Sequence, residues 1–437
     1  MKIGLLDHMG YGNLGDAATQ EALIANIKRR LPEAVIIGFS LNPEDTRKRH
    51  NVSCYSITWW HPDPQSSDVG STSDRNPGFQ LKSIVKKIPV FYPAAKHVWH
   101  FVHELTHLGR SFRILRTLDS LIIAGGGQLS ELWRGPWSHP YNVLKFCVLA
   151  KFANTKLLFL NVGAGPLNHP LSKLFARWSV CLADYVSFRD VESQTLVREL
   201  GVKRKTYVGP DSAYALDVTN YRTRNRVNAS GRLVGINPIG FCDPRIWPRP
   251  DSSAYSQYLD KLAAFSLWLL AHHYRLRIFS GEVSVDAHAV EDLKARLLNT
   301  LPAANIDHIF KARSENVKDL FLEMAQFDFV VTSKFHGVVF SHLLQKPVIA
   351  LSYHNKIDDL MLTVGHSQYC LDIEHFNTDG LNKAFSALVE NAQELKSRFR
   401  QNVTSYADAL QQQFDEVFLP EKPAVHCELQ HYVPKVE

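Results

Sequence analysis

The feature that most constrains the fold is the repeated alternation of short apolar runs with helical patterns. Residues 2–7 form an apolar run that enters a glycine-rich turn, and a helical pattern follows at residues 17–31. Val35–Ser40 is the next apolar run, so the chain opens with a βαβ unit. The same rhythm predicts further strands at residues 120–124, 157–162, 185–188, 206–208, 233–237, 276–280, 329–332 and 348–351. This alternation predicts parallel sheets covered by helices.

The length and the loops predict two domains. A chain of 437 residues exceeds the size at which a single core keeps growing. The polar stretch at 220–232 is the best boundary, and residues 51–79, rich in Pro, Ser, Asp and Gly, are predicted to be a long, mobile insertion. The predicted organisation is an N-terminal Rossmann-like domain (1–225), a C-terminal one (226–415) and a tail (416–437). Ligands of such sheets bind beyond the carboxyl ends of the strands.

One segment that follows a predicted strand carries most of the chemistry. Ser333-Lys334-Phe335-His336-Gly337 comes directly after Phe329–Thr332 and precedes a helical pattern. At such a turn the backbone N–H groups and the helix dipole favour an anion, and a histidine can move protons near neutral pH. The segment therefore predicts an anion-binding acid–base site. The alternative, in which His336 only packs or caps the turn, stays open.

Several motifs in order along the chain resemble those of the polysaccharide pyruvyl transferases. Ser333, His336 and Gly337 are similar to the family's Ser-x-Arg-x-His-Gly, although its arginine falls on Lys334 or Phe335. The other similar segments are Gly12-Asn13-Leu14-Gly15-Asp16, Gly125-Gly126-Gly127, Phe188-Arg189-Asp190, Tyr207-Val208-Gly209-Pro210-Asp211 and Tyr353-His354-Asn355-Lys356. Their common order is more specific than any one motif.

The resemblance implies a GT-B-like fold, with two Rossmann-like domains facing across a cleft, and a defined reaction. Its members transfer the enolpyruvyl unit of phosphoenolpyruvate to a sugar of a polysaccharide or its precursor, as a pyruvate ketal. Phosphoenolpyruvate is then the donor substrate, a sugar or glycan the acceptor, and neither cofactor nor metal is expected. His336 is the predicted general acid. The residues predicted to bind substrate on the donor side are Ser333, Lys334, Gly337, Arg245, Tyr353 and Lys356, and those on the acceptor side are Asn13, Asp16, Gly125, Gly126 and Gly127.

The predicted cations differ in how they would hold an anion. A doubly anionic donor needs positive charge around it, for which Lys334, Lys356 and Arg245 are the candidates. Lysine is a mobile point charge, whereas the arginine of the family's segment would bind with two parallel hydrogen bonds. We interpret Arg189 and Asp190 as a helix N-terminus with its capping acid.

Other functions fit parts of the sequence. His103-Glu104-Leu105-Thr106-His107 matches the zinc-protease pattern His-Glu-x-x-His, but with twenty histidines in the chain a chance match is plausible. The metzincin extension is missing, since Arg110 stands where that pattern requires glycine. A GT-B glycosyltransferase using a nucleotide-sugar, or a binding protein without catalysis, would use the same cleft.

Charge and hydropathy bear on location and partners. The net charge of +6 is modest and its basic residues are dispersed, so nucleic-acid binding is not expected. The N-terminal apolar run is too short for a signal peptide, which favours the cytoplasm. One stretch combines a single acid, Glu104, with interleaved basic and aromatic residues: Lys82, Lys86, Lys87, Lys96, Trp99, Phe101, Arg110, Phe112, Arg113 and Arg116. It could lie peripherally on an anionic membrane, where a lipid-linked acceptor would be found.

Overall fold

The computed structural model describes residues 1–6, 12–60, 91–131, 135–222, 231–282, 286–301, 309 and 314–419, with the backbone alone at 91–97. The described chain forms two parallel sheets. We call the part around the first sheet, up to residue 222, the first lobe, and the part from residue 231 the second lobe. The predicted α/β architecture with parallel sheets is therefore confirmed.

The first sheet has seven strands in the order β3-β2-β1-β4-β5-β6-β7. They are β1 (Lys2–Leu6), β2 (Val35–Ser40), β3 (Ser53–Ser56), β4 (Ser120–Ala124), β5 (Lys156–Val162), β6 (Tyr185–Phe188) and β7 (Tyr207–Val208). Central strands such as β4 are mostly apolar and are buried along their whole length, as expected for a sheet covered on both faces. The strand order reverses between β1 and β4, which pair in parallel.

The second sheet has five strands in the order β12-β11-β10-β8-β9. They are β8 (Leu233–Asn237), β9 (Arg275–Ile278), β10 (Phe329–Thr332), β11 (Val348–Ser352) and β12 (Cys370–Asp372). Here the order reverses between β8 and β10, which pair in parallel from Phe329 with Val234 to Thr332 with Asn237. Each sheet therefore has one switch point, the place where open α/β sheets bind ligands.

The helices connect these strands and cover both sheets. Those of the first lobe are α1 (Leu14–Arg30), α2 (Pro43–His50), α3 (Phe91–Leu115), α4 (His139–Phe152), α5 (Pro170–Leu182), α6 (Val191–Glu199) and α7 (Thr219–Arg222). The later helices are α8 (Ser252–Ala271), α9 (Ala287–Leu298), α10 (Val317–Met324), α11 (Phe335–Leu343), α12 (Asn355–Thr363), α13 (Thr378–Glu390) and α14 (Ala392–Phe418). Within the described residues every helix is too short or too polar to cross a bilayer.

Two predicted boundaries need correction. The predicted insertion at 51–79 contains β3, whose backbone pairs with β2, while residues 61–79 lie outside the described residues. The predicted tail at 416–437 begins inside α14, because Val417 and Phe418 are buried. Most of the predicted boundary at 220–232 also lies outside the described residues.

The last helix returns to the first lobe. Gln413 of α14 exchanges two hydrogen bonds with Asn161 of β5, at 2.9 and 3.0 Å, and both side chains are buried. Arg30 of α1 binds Asp415 at 2.6 Å. A buried amide pair of this kind leaves few polar atoms unsatisfied and fixes the two lobes against each other at this edge.

Candidate functional site

The two switch points face each other across the junction of the lobes. The chain after β1 leads to Asn13 at the start of α1, and the chain after β10 leads into α11. Backbone contacts join the lobes here, because the N–H of Leu14 donates to the carbonyl of Gly281 at 3.0 Å and Asn13 forms a β-bridge with Glu282. The start of α1, which follows β1, is thereby brought against the chain that follows β9 of the second sheet.

His336 lies at this junction, against the first lobe. A Cβ built on Gly15 would come within 2.1 Å of its Nδ1, so only glycine at the start of α1 leaves room for the ring. The His336 side chain is 13% exposed, and its Nε2 lies 3.9 Å from Oδ2 of Asp211. Burial lowers the pKa of His336; Asp211 and Asp16 act to raise it, and Arg189 and Lys356 to lower it. In the free protein the imidazole is therefore mainly neutral near pH 7.

Arg189 approaches the same place from the end of β6. Its Nη1 lies 3.3 Å from Asp211, and its guanidinium lies 4.5 Å from the ring centroid of Phe335 in the second lobe. A Cβ on Gly163, just after β5, would be 2.9 Å from Nε and Nη2 of Arg189. The sequence interpretation of Arg189 and Asp190 as a helix N-terminus with its cap holds for Asp190, which caps α6. Arg189, in contrast, reaches the junction of the lobes.

Two buried nitrogens at this junction have no hydrogen-bond partner among the described residues. They are Nε2 of His336 and Nε of Arg189, whose nearest carboxylate oxygen, on Asp190, is 3.5 Å away. Buried polar atoms are nearly always hydrogen-bonded, so each such atom calls for an explanation. One chemically reasonable explanation is an anion that carries several oxygens and binds between the two nitrogens.

The predicted acceptor-side residues lie around α1. Asn13 caps the helix by accepting from the N–H of Gly15 and donates to Asp16 at 2.9 Å. A Cβ on Gly126 would be 3.3 Å from Asp16 Oδ1, and Gly125 and Gly126 both have positive φ angles. Gly127 lies against Ser130. The glycine turn and Asp16 are therefore neighbours, and Asp16 is near enough to His336 to influence its pKa.

The other residues of the 333–337 segment are engaged within the second lobe. Ser333 is buried and its hydroxyl hydrogen-bonds Tyr258 at 3.1 Å. A Cβ on Gly337 would be 2.2 Å from Oγ1 of Thr332, so this glycine permits the tight turn. Both residues shape the turn, whereas the sequence predicted that they bind substrate.

Lys334 also differs from its predicted role. Its Nζ binds Glu282 and lies 2.7 Å from Asp286. Burial acts to lower the pKa of Lys334, but the two carboxylates outweigh it and raise that pKa above its usual range. The ammonium therefore stays charged, but two acids already neutralise it, so it is a poor candidate for holding the donor phosphate.

Arg245 is likewise engaged, whereas Lys356 is not. Arg245 binds Asp243 at 2.7 Å and also binds Asp292. Lys356 forms no ion pair with any described residue, and its Nζ lies 5.9 Å from the ring centroid of Tyr353. Of the three predicted cations, Lys356 alone, within the described chain, keeps its charge available near His336.

The histidines of the His-Glu-x-x-His segment on α3 have separate partners. His107 Nε2 lies 3.0 Å from the carbonyl of Ser56, while His103 stacks on Trp59 with centroids 5.4 Å apart. Glu104 binds Lys145 at 3.0 Å. Nowhere in the described residues do three or more His, Cys, Asp or Glu side chains come together as a metal site would need.

Sequence reasoning missed four residues of the junction or assigned them another role: Gly15, Gly163, Arg189 and Asp211. Each lies at or near the carboxyl end of a strand of the first sheet or at the start of α1. Their position after strands was the available signal, because that is where parallel sheets form sites.

The chain is similar in sequence to a known protein family. The sequence model of the family described as "Polysaccharide pyruvyl transferase" matches residues 13–355. No curated protein matches the chain by sequence.

Solved structures are similar in fold. UDP-GlcNAc 2-epimerase from Methanocaldococcus jannaschii superposes with a TM-score of 0.55 at 12% identity, covering 88% of this chain and 92% of its own. The Neisseria meningitidis UDP-GlcNAc 2-epimerase bound to UDP-GlcNAc superposes with a TM-score of 0.57 at 10% identity, covering 96% of this chain and 100% of its own. The glycotransferase of kitacinnamycin superposes with a TM-score of 0.52 at 11% identity, covering 95% of this chain and 98% of its own. These likenesses confirm the predicted GT-B-like fold.

Proposed function

Since the chain belongs to the polysaccharide pyruvyl transferase family, we propose that it transfers the pyruvyl unit of phosphoenolpyruvate to two hydroxyls of a sugar. The product is a pyruvate ketal on a polysaccharide or its precursor, and inorganic phosphate is released. The reaction needs neither cofactor nor metal. The observation that carries the proposal is the pair of buried nitrogens of His336 and Arg189 at the junction of the lobes, neither of which has a hydrogen-bond partner among the described residues.

The donor would bind through charge. Phosphoenolpyruvate carries a carboxylate and a phosphate, and Arg189 and Lys356 are the cations near His336 that can meet them. The guanidinium of Arg189 is held by Asp211 through Nη1, which leaves Nε to donate to a donor oxygen. Charge-assisted hydrogen bonds in a buried site are stronger than neutral ones. Arg189 thereby takes the role that the sequence assigned to Lys334.

In the first chemical step the His336 imidazolium gives its proton to the vinyl carbon of the donor. The C2 centre becomes oxocarbenium-like, and one sugar hydroxyl attacks it and returns a proton to the imidazole. The second hydroxyl then displaces phosphate and its proton leaves with the phosphate, so protons balance. Asp211 and Asp16 favour the charged imidazole.

Because burial lowers the pKa of His336, we expect the imidazole to take up a proton from solvent as the anionic donor binds. Burial disfavours the imidazolium in the free protein, whereas a bound anion favours it. Titration calorimetry with phosphoenolpyruvate near pH 7, in two buffers of different ionisation enthalpy, should reveal proton uptake. The uptake should vanish in His336→Gln, and binding with no proton uptake in the unsubstituted protein would contradict the acid role.

The reaction itself can be tested in D₂O. The protein is incubated with phosphoenolpyruvate and a pool of glycans, phosphate release is followed, and the ketal is identified by NMR. Protonation of the vinyl carbon by solvent-derived deuterium should place one deuterium in the ketal methyl group. The proposal is wrong if phosphate is not released with any of the acceptors on which another family member forms the ketal.

A parallel incubation addresses the nucleotide-sugar alternative. The same glycans are supplied with UDP-N-acetylglucosamine instead of phosphoenolpyruvate, and release of UDP is measured. We expect none. Release of UDP that depends on acceptor, without phosphate release from phosphoenolpyruvate, would instead identify a glycosyltransferase.

A further inference from the structure

Helix α3 exposes apolar side chains on the side that faces away from the protein. Ser111 and Leu115 of this helix are buried against the first lobe. The opposite side carries four side chains that are 50–63% exposed: Val98, Phe101, Val102 and Leu105. Their spacing places them on one stripe. A helix that packs on one side normally presents polar residues to water on the other, so this stripe requires an explanation.

Positive charge continues along the same helix. Arg110, Arg113 and Arg116 are exposed, and none forms an ion pair with a described residue. The sole acid between residues 91 and 116 is Glu104, which binds Lys145 on the side packed against the first lobe. The exposed surface thus combines apolar and cationic residues without a compensating acid of its own helix.

Aromatic residues border this surface. Trp99 is half exposed and packs edge-on against Trp59 at 5.2 Å. Tryptophan has an apolar body and a polar N–H, which suits the boundary between headgroups and acyl chains.

We propose that this α3 face (Val98, Phe101, Val102, Leu105, Arg110, Arg113 and Arg116) docks on an anionic lipid bilayer. The apolar stripe enters the boundary between headgroups and acyl chains, and the arginines bind lipid phosphates. Charge argues for lipid over a second copy of the chain, because a two-fold contact would bring three unpaired arginines against three more. The inference does not depend on the reaction proposed above.

The test is co-sedimentation of the full chain with vesicles. Wild type should bind vesicles that contain phosphatidylglycerol and not phosphatidylcholine alone, and binding should weaken as NaCl rises. Replacing Arg110, Arg113 and Arg116 with Gln should lower the partition coefficient roughly 100-fold. Phe101→Ser with Leu105→Ser should lower the partition coefficient at least about tenfold, because serine has little apolar surface for the bilayer to bury.

A matched control uses apolar residues of similar exposure in the second lobe. Leu298→Ser with Leu362→Ser should bind vesicles like wild type. All variants change exposed side chains, so their circular dichroism and thermal midpoints should match wild type.

Three results would overturn the proposal. The first is a folded wild type that does not bind phosphatidylglycerol vesicles. The second is vesicle binding that the α3 variants and the control reduce equally. The third is a wild-type dimer, seen by light scattering, that becomes monomeric in Phe101→Ser with Leu105→Ser while vesicle binding is absent; a second copy would then cover the α3 face.

Discussion

The turn after β10 and the turn after β6 contribute to the junction in opposite ways. The first, Ser333–Gly337, has every feature expected of an anion site, yet its lysine is neutralised by Glu282 and Asp286 and its serine is buried. The second was interpreted as a helix cap, yet its Arg189 reaches the imidazole's neighbourhood. Whether a cation can bind an anionic ligand therefore depends on the acidic side chains that the fold places beside it. The sequence motif around the cation does not show those acids.

The largest effect should come from the one residue of the β10 turn that we assign to chemistry. His336→Gln removes the proton donor and keeps a similar shape, so turnover should fall about 1,000-fold or more. Phosphate release from phosphoenolpyruvate in the presence of acceptor measures it. His375→Gln, an exposed histidine of the second lobe, is the control and should keep wild-type rates. A fully active His336→Gln would remove the mechanism.

The next effect separates Lys334 from donor binding. Lys334→Met leaves two largely buried carboxylates without their cation, which should lower the free energy of unfolding by roughly 3 kcal/mol. Denaturant unfolding measures this loss. At a temperature where the variant is folded, its KM for phosphoenolpyruvate should stay within a few-fold of wild type. Unchanged stability with lost donor binding would reverse the comparison of the two turns.

Gly15 tests whether the imidazole must lie against the first lobe. Gly15→Ala places a methyl where His336 now lies, so the ring must move and turnover should fall about 100-fold. Gly109→Ala is the matched control, since a Cβ there meets nothing within 4 Å. A Gly15→Ala protein with normal turnover would mean that the ring acts from another position.

Arg189 should affect donor binding more than stability. Arg189→Lys keeps the charge but loses the fixed fork of donors, so the KM for phosphoenolpyruvate should rise roughly tenfold. Steady-state kinetics with varied donor measure it. Lys383→Arg, on the exposed side of α13, should change nothing. A change confined to kcat would argue against a binding role.

The smallest effect concerns His342, which lies behind the β10 turn on the same helix. Its burial lowers its pKa to about 3, and its Nδ1 bonds to Tyr214 at 2.9 Å. Because the folded pKa lies below the unfolded value of about 6.5, its contribution to stability is present above pH 6.5 and lost as pH falls from there. Unfolding free energy should drop by about 1 kcal/mol from this residue between pH 7 and 5.5. Denaturant titrations at several pH values should show a weaker pH dependence of the unfolding free energy in His342→Gln than in wild type. The same pH dependence in both proteins would contradict this assignment.

The sequence predicts the sheets well because their strands are buried on both faces. Runs such as Leu121–Ala124 are apolar throughout, so they can be recognised without knowing what packs on them. The missed strands, β3 and β12, are four and three residues long and lie at sheet edges, where one side has no neighbouring strand among the described residues. Helix α2 was missed because only Pro43 and Thr46 are buried, which leaves almost no apolar period.

The candidate site is harder to predict because its contacts join distant residues. Lys334 meets Glu282 across 52 positions, and Glu282 carries no motif of its own. Arg189 passes Gly163 at a distance that only the paired ends of β5 and β6 determine. Residue type and position after a strand identify candidates, whereas their charge balance requires the assembled lobes.

The reciprocal amide pair of Gln413 and Asn161 has a consequence for motion. Asn161 lies two residues before Gly163, so the C-terminal helix is anchored beside the loop that bounds Arg189. Separating the lobes at that edge would break both buried hydrogen bonds. We therefore expect product release from the junction beside His336 to begin with a movement of the lobes that leaves the α14 edge closed and these two hydrogen bonds intact.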